Sequence, residues 1–416
     1  MKRFQQILFV LVATLLLALP MQAQEERIEI YITGLTEDTL NWFRQVAFPA
    51  FEAQHPGVKL DIITGGWGDF DATVAGWITT GDGPELVYLG SEYAATYGSL
   101  LADITPYLEG WEDLNQFLPA ALETVSWDGA LRGLPLLISP RPMFYRSDLA
   151  AEGSVVPALT FEDSLAFVKS NSGVENNALT KMGFMDIGSG LFDAQEFIAY
   201  IWSAGGELYY EDGSSAFDSP EVAEALQFMY DRRRAILPTE TTAGLPPFEG
   251  TPIASGSVVS GIFPMWNMPS TADAIWNNIV IAPYPAGENG EPVVQVFIDW
   301  LSVPAYVEDP TMAVEFLKFI TSKENATSLV TVAGYTPARQ DAWEELRSTN
   351  EVWSRLIDVA VQYGRSFSDI RASAELRPLI VEQVTLFLTD QQSLEDTQAA
   401  LKAEYDAILA DNGYLN

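Results

Sequence analysis

The residues best suited to chemistry are carboxylates and indoles set in turns that follow strand-like stretches. Glu37 lies in the turn after Arg27 to Ile32, and Glu92 follows Glu85 to Leu89. Trp67 and Asp69 follow Val58 to Ile63, Trp67 within the turn Gly65-Gly66-Trp67-Gly68. Arg141 stands between Pro140 and Pro142, and Asp193 precedes a helix ending at Gly205-Gly206. Trp266 sits between the breaks Pro264 and Pro269, Asp299 adjoins Trp300, and Tyr335 follows Gly334. The chemistry these types support is recognition. Indole faces cover C–H surface, while carboxylates, a guanidinium and a phenol orient hydroxyl groups. Carboxylates beside aromatics equally suit an ammonium ligand, such as a polyamine, through ion pairing and cation–π contact.

Each candidate has a structural rival. Glu37, Asp69 and Asp193 could cap helices, and Glu92 could stabilise a first-turn dipole. Arg141 could form a salt bridge, and Trp67, Trp266, Trp300 and Tyr335 could simply pack. Trp202, Trp276, Trp343 and Trp353 fall on helices at core spacing and read as structural. A two-carboxylate glycosidase is the enzymatic rival, because carboxylates are plentiful. Against it, the chain has no nucleophile elbow, phosphate loop or metal motif. With no cysteine and a single histidine, His55 at a helix end, neither a metal site nor a cofactor is expected. The net charge of −35 excludes nucleic acid and anionic membrane as partners.

Residues 1–23 read as a signal peptide: Lys2 and Arg3, an apolar run from Ile7 to Leu19, Pro20, then Ala23 before the cut. The run falls short of the roughly 20 residues of a membrane span. Without a lipid-attachment cysteine, the mature chain is expected to be free in the periplasm or secreted. The roughly 390 residues that remain suit two or three lobes. Strands at 27–32, 58–63 and 85–89 alternate with helices, the first kinked at Pro49, which implies βαβ units, a parallel sheet and an α/β fold. Thr160, Ser219, Asp309, Ser322 and Ser393 mark later helix starts. Strands are expected at 258–263, 279–282 and 293–303, a surface loop at 237–252, and helices without a strand beyond Arg339. Such a tail must bury its apolar faces on lobes already built.

In order along the chain stand Phe51-Glu52-Ala53-Gln54-His55-Pro56-Gly57-Val58, Gly81-Asp82-Gly83-Pro84-Glu85-Leu86-Val87-Tyr88 and Leu101-Ala102-Asp103-Ile104. Gly133-Leu134-Pro135, Phe144-Tyr145-Arg146-Ser147-Asp148-Leu149 and Ala204-Gly205-Gly206-Glu207 follow. Phe217-Asp218-Ser219-Pro220-Glu221, Ala313-Val314-Glu315-Phe316-Leu317-Lys318-Phe319-Ile320 and Gly334-Tyr335-Thr336-Pro337-Ala338-Arg339 complete the series. In this order and spacing the chain resembles the family 1 extracellular solute-binding proteins of ABC importers, the group that includes maltose-binding members. The resemblance implies the two-lobed periplasmic-binding-protein fold of type II, with a ligand cleft and a helical C-terminal tail. Lobe 1 would hold 25–139 and 303–338, and lobe 2 would hold 145–296 and 339–416, with hinge segments near 139–144 and 297–302. The implied function is capture of a carbohydrate by a monomer that delivers it to ABC permease subunits, without catalysis. By the same resemblance Glu92 matches a ligand-bonding carboxylate and Trp266 a stacking tryptophan, while Asp299-Trp300 replaces a pair of small residues. Leu89 departs from the pattern, standing where maltose-binding members offer a stacking tryptophan.

Overall fold

A computed structural model describes residues 26–185, 194–236, 251–265, 268 and 273–415. The expected signal peptide and most of the expected surface loop lie outside these residues. The first strand, β1 (Glu26–Thr33), buries Ile28, Ile30 and Ile32. Thr36 then caps α1 (Glu37–Trp42) by accepting the Thr39 N–H at 3.3 Å. Ahead of Pro49 the helix widens into a π turn at Phe43–Ala47 and resumes as α2 (Phe48–Gln54). Proline brings no N–H to a helical ladder, and the π turn ahead of it absorbs the mismatch. β2 (Val58–Gly65) runs parallel to β1, α3 (Phe70–Thr80) crosses back, and β3 (Leu86–Leu89) joins the other side of β1, also parallel.

Two crossing strands and a short third join that sheet antiparallel, which local alternation did not indicate. β4 (Gly133–Arg141) leads past Pro142 into β5 (Met143–Arg146), the centre of a second, three-stranded sheet. α4 (Phe161–Asn171), α5 (Ala194–Ser203) and α6 (Pro220–Ile236) bury their apolar sides with this sheet, and β6 (Ser260–Ile262) and β7 (Ile279–Ala282) flank β5 antiparallel. β8 (Val294–Ser302) returns between β4 and β3, antiparallel to both. A strand that leaves a sheet and one that re-enters it must run in opposite directions, so the two crossings pair with each other. After α7 (Thr311–Ile320) and α8 (Lys323–Ala333), β9 (Thr336–Pro337) completes the order β9-β4-β8-β3-β1-β2.

The tail comprises α9 (Gln340–Thr349), α10 (Glu351–Tyr363), β10 (Gly364–Ser366), α11 (Ser373–Leu388) and α12 (Leu394–Asp411). It is not purely helical: β10 pairs parallel with Val294–Val296 of β8. Its helices divide between the cores. Leu346, Val352, Trp353 and Leu356 join the cluster around Phe43, Phe51, Leu136 and Phe316. Leu376, Ile380, Val384, Leu401 and Tyr405 join Phe167, Phe197, Tyr200 and Phe228 in the other. The caps expected at Thr160, Ser322 and Ser393 form, each hydroxyl accepting an N–H three residues on. Trp202, Trp276 and Trp353 are buried, and Trp343 is half-buried with its indole on the Pro337 carbonyl.

Gly133 shows how tightly the crossing strands pack. A Cβ there would fall 2.2 Å from the Leu301 carbonyl oxygen and 2.8 Å from the Trp300 ring. Gly133→Ala is therefore expected to push β4 off β8 and cost about 1–3 kcal/mol, read as a lowered urea midpoint.

Candidate functional site

The outer half of β8 carries the site. Successive side chains of a strand face opposite ways, so Gln295, Phe297 and Asp299 share one face. Trp300 goes to the other. It is 1% exposed among Leu89, Tyr93 and Phe70, and its indole N–H donates to the Gly90 carbonyl at 3.4 Å. Asp299 and Trp300 thus do not act as a side-by-side pair, because strand alternation separates them. Leu89, the ladder partner of Trp300, is fully buried in the same cluster.

Asp299 is itself buried, at 7% exposure. Burial pushes its carboxyl up to about 7, and the Glu92 charge adds to the rise. Tyr88 and Arg141 pull the other way, although the Tyr88 hydroxyl completes no well-formed hydrogen bond among the described residues. Tyr335, 5% exposed, is raised by burial and by Asp299. Glu92 belongs to the single 3₁₀ turn Ser91–Tyr93 at the carboxyl end of β3. It reaches toward lobe 2, where Gln195 at the start of α5 places its amide nitrogen 3.5 Å from the Glu92 carboxylate. The other end of that amide accepts Arg141 Nη1 at 3.1 Å, and the Arg141 guanidinium lies 4.0 Å over the Phe297 ring. Ser373, at the head of α11, donates to the Glu92 backbone carbonyl at 2.9 Å.

The remaining candidates lie further out. Trp67 is half-buried and stacks on Tyr93, with ring centroids 5.8 Å apart and planes 7° from parallel. Glu37 is exposed and pairs with Arg44 at 2.8 Å, across one face of its own helix. Asp69 is exposed and makes no capping hydrogen bond, although it stands where a cap would. Asp193 and Trp266 lie outside the described residues. The structure therefore gathers Glu92, Arg141, Asp299 and Tyr335, sets Trp67 at their edge, and leaves Glu37 on a surface helix.

A model of the family described as bacterial extracellular solute-binding protein matches residues 47–355. The chain belongs to this family. An arabinooligosaccharide-binding protein of Bacillus subtilis is 26% identical to this binding protein over 262 residues, 60% of this chain and 58% of that one. One from Halalkalibacterium halodurans is 24% identical over 250 residues, covering 56% and 53%. The chain thus spans less than two thirds of the length of these relatives. Its fold is the two-lobed periplasmic-binding-protein fold. The maltose-bound MalE3 of T. maritima superposes with a TM-score of 0.75 at 21% identity, covering 92% of this chain and all of that one. A Thermotoga lettingae solute-binding protein bound to α-D-tagatose gives 0.77 at 19%, covering 92% and 100%.

Three residues of the candidate site escaped notice in the sequence: Tyr88, Gln195 and Gln295. A signal existed for Gln195, since α5 reads Ala-Gln-Glu-Phe-Ile-Ala-Tyr-Ile-Trp-Ser and is buried along its whole length. Polar residues on a helix buried all round need internal partners. Glu196 finds Arg232 at 2.8 Å, and Gln195 finds Arg141.

Two measurements follow from these placements. Trp300→Ala is expected to lose about 3–5 kcal/mol of stability through the cavity it leaves, read by denaturant unfolding. Asp299 binds its proton more tightly folded than unfolded, so its contribution to stability falls as pH rises from about 4 to about 7. Asp299→Asn should remove that slope, seen as a wild-type-minus-variant difference in urea midpoint that changes between pH 4.5 and 7.5.

Proposed function

We propose that the protein captures a carbohydrate between its lobes and hands it to an ABC importer. One observation carries this reading. Arg141 Nε and the Gln295 amide nitrogen are buried without a hydrogen-bond partner among the described residues, the Tyr88 hydroxyl completes no well-formed hydrogen bond beside Asp299, and all three lie around the face of β8 that holds Asp299. Buried polar atoms cost free energy when unsatisfied, so a cluster of them on one face favours a ligand rich in hydroxyl groups. Trp67 would cover an apolar ring face, and Trp266, just beyond β6, would supply a second. The arabino-oligosaccharide and maltose named for its relatives and structural neighbours are of the same chemical class.

Binding without turnover fits the placement of the carboxyls. Glu92 follows the end of β3 and Asp299 lies within the neighbouring β8, both on one side of the crossing, whereas glycosidase carboxylates flank the scissile bond from opposite sides. Among the described residues no group of His, Asp and Glu could hold a metal ion, and no helix is long and apolar enough to cross a membrane. Release from a signal peptide into the periplasm or medium, a monomeric state and docking on permease subunits complete the proposal. The lobes would be bounded at 139–144 and 297–302. A cationic ligand is the second reading, favoured by two carboxyls facing one guanidinium.

A thermal-shift panel of arabino- and malto-oligosaccharides, monosaccharides and polyamines tests it. A saccharide at a hundred times its Kd should add about 2.7 kcal/mol of stability and raise Tm by several degrees. That response should persist in added salt. A response confined to polyamines and abolished by salt would overturn the carbohydrate reading.

A further inference from the structure

Arg371 is fixed to the second lobe through both of its backbone polar groups. Its N–H donates to the Tyr209 hydroxyl at 2.8 Å, and its carbonyl accepts the Tyr405 hydroxyl at 2.6 Å. Those two phenol oxygens are 2.7 Å apart, and Tyr405 is fully buried in the cluster around Phe197. Two residues on, Ser373 is 1% exposed and donates at 2.9 Å to the Glu92 carbonyl, in the 3₁₀ turn that follows β3 on the first lobe. Ala372 between them is buried and left-handed, with φ 46° and ψ 47°. An L-residue holds that conformation at a cost and keeps it only where contacts on both sides over-determine it. Further contacts join the same parts. The Tyr414 hydroxyl reaches the Ala95 carbonyl at 3.5 Å, and Arg377, one turn along α11, interacts with Tyr93.

We infer that Ser373 is a positioning residue for ligand capture: from the tail packed on the second lobe, it fixes the turn that carries Glu92 on the first. The inference rests on the proposed capture between lobes, with Glu92 among the groups that meet the ligand. The left-handed turn at Ala372 carries the chain from its anchor at Arg371 to this contact with the opposite lobe. A bond from one lobe to the backbone of the other forms only while the lobes lie together. When they part, water takes up the Ser373 hydroxyl and the Glu92 carbonyl, and the bond contributes nothing. Its contribution therefore belongs to the closed, loaded state. Placement of Glu92 and closure of the lobes become one event, and the bond acts on escape of the ligand rather than on its arrival.

Stopped-flow tryptophan fluorescence on the full chain tests the assignment. The probe is arabinotriose or maltotriose, whichever raises Tm in the panel, or spermidine should it alone do so. Ser373→Ala is expected to speed dissociation about five- to tenfold, with association within about twofold of wild type. Its ligand-free urea midpoint should match that of wild type. In a Glu92→Gln background the same substitution should change dissociation by less than about twofold, because the carboxylate it positions is gone. Dissociation unchanged by Ser373→Ala would overturn the assignment and leave capture between the lobes standing. Equal acceleration in both backgrounds, or a lowered ligand-free midpoint with both rates altered, would make Ser373 a structural contact and overturn it too. Wild-type affinity in Glu92→Gln would remove Glu92 from the site, and the assignment with it. Binding of spermidine alone would overturn the carbohydrate reading while the same rates still decide the role of Ser373.

Discussion

The pairing of β4 with β8 is the constraint on which the molecule depends. From Gly133 opposite Ser302 to Arg141 opposite Gln295, the outgoing and returning strands run antiparallel. Their inner halves are part of the first sheet, and their outer ends point into the second lobe. This one ladder contributes to both hydrophobic clusters, Leu134, Leu136, Leu137 and Leu301 to one and Phe297 to the other. It also sets the chemistry. Arg141 is at the end of one strand and Asp299 in the middle of the other, so a cation and an acid from distant stretches of sequence meet without any loop having to hold them. A register shift between Asp299 and Trp300 lets β4 insert an extra residue, Leu136, and bends the ladder where it leaves the first lobe.

What the sequence disclosed follows the range of the interactions involved. The caps at Thr160, Ser322 and Ser393 each involve four residues, and in the β1–α–β2–α–β3 unit β1 pairs in parallel with β2 and β3, both within about 60 residues of it. Such signals are local and were legible. The return of β8 between β3 and β4 joins residues more than 150 positions apart, and the β10 pairing is only three residues long. Neither leaves a periodic trace. The site divides the same way. Glu92 stood out as a carboxylate just after a strand, Arg141 as a cation between prolines and Asp299 as an acid beside an indole. Tyr88 and Gln295 looked like ordinary strand residues, because only the sheet order shows that they face the same space.

Charge is handled differently at the surface and in the interior. The net −35 is spread over exposed carboxylates, where water screens it. Inside, the acids are matched closely. Glu196 has Arg232, itself stacked over Phe184 at 4.0 Å, and Arg339 is held by Asp113 and Asp341. Glu92 and Asp299 are two further buried acids, each 7% exposed, and the Arg141 charge acts on Asp299.

Leu89 brings the aromatic and polar halves of the site together. Maltose-binding members offer a stacking tryptophan at the position where this chain has Leu89. Instead Leu89 is sealed under Trp300, and the two share one small core with Tyr93 and Phe70. An indole at position 89 would have to occupy volume that Trp300 already fills, so the tryptophan on β8 closes that subsite from behind. Among the described residues the aromatic face left near the acids is Trp67, stacked on Tyr93 and only half-buried.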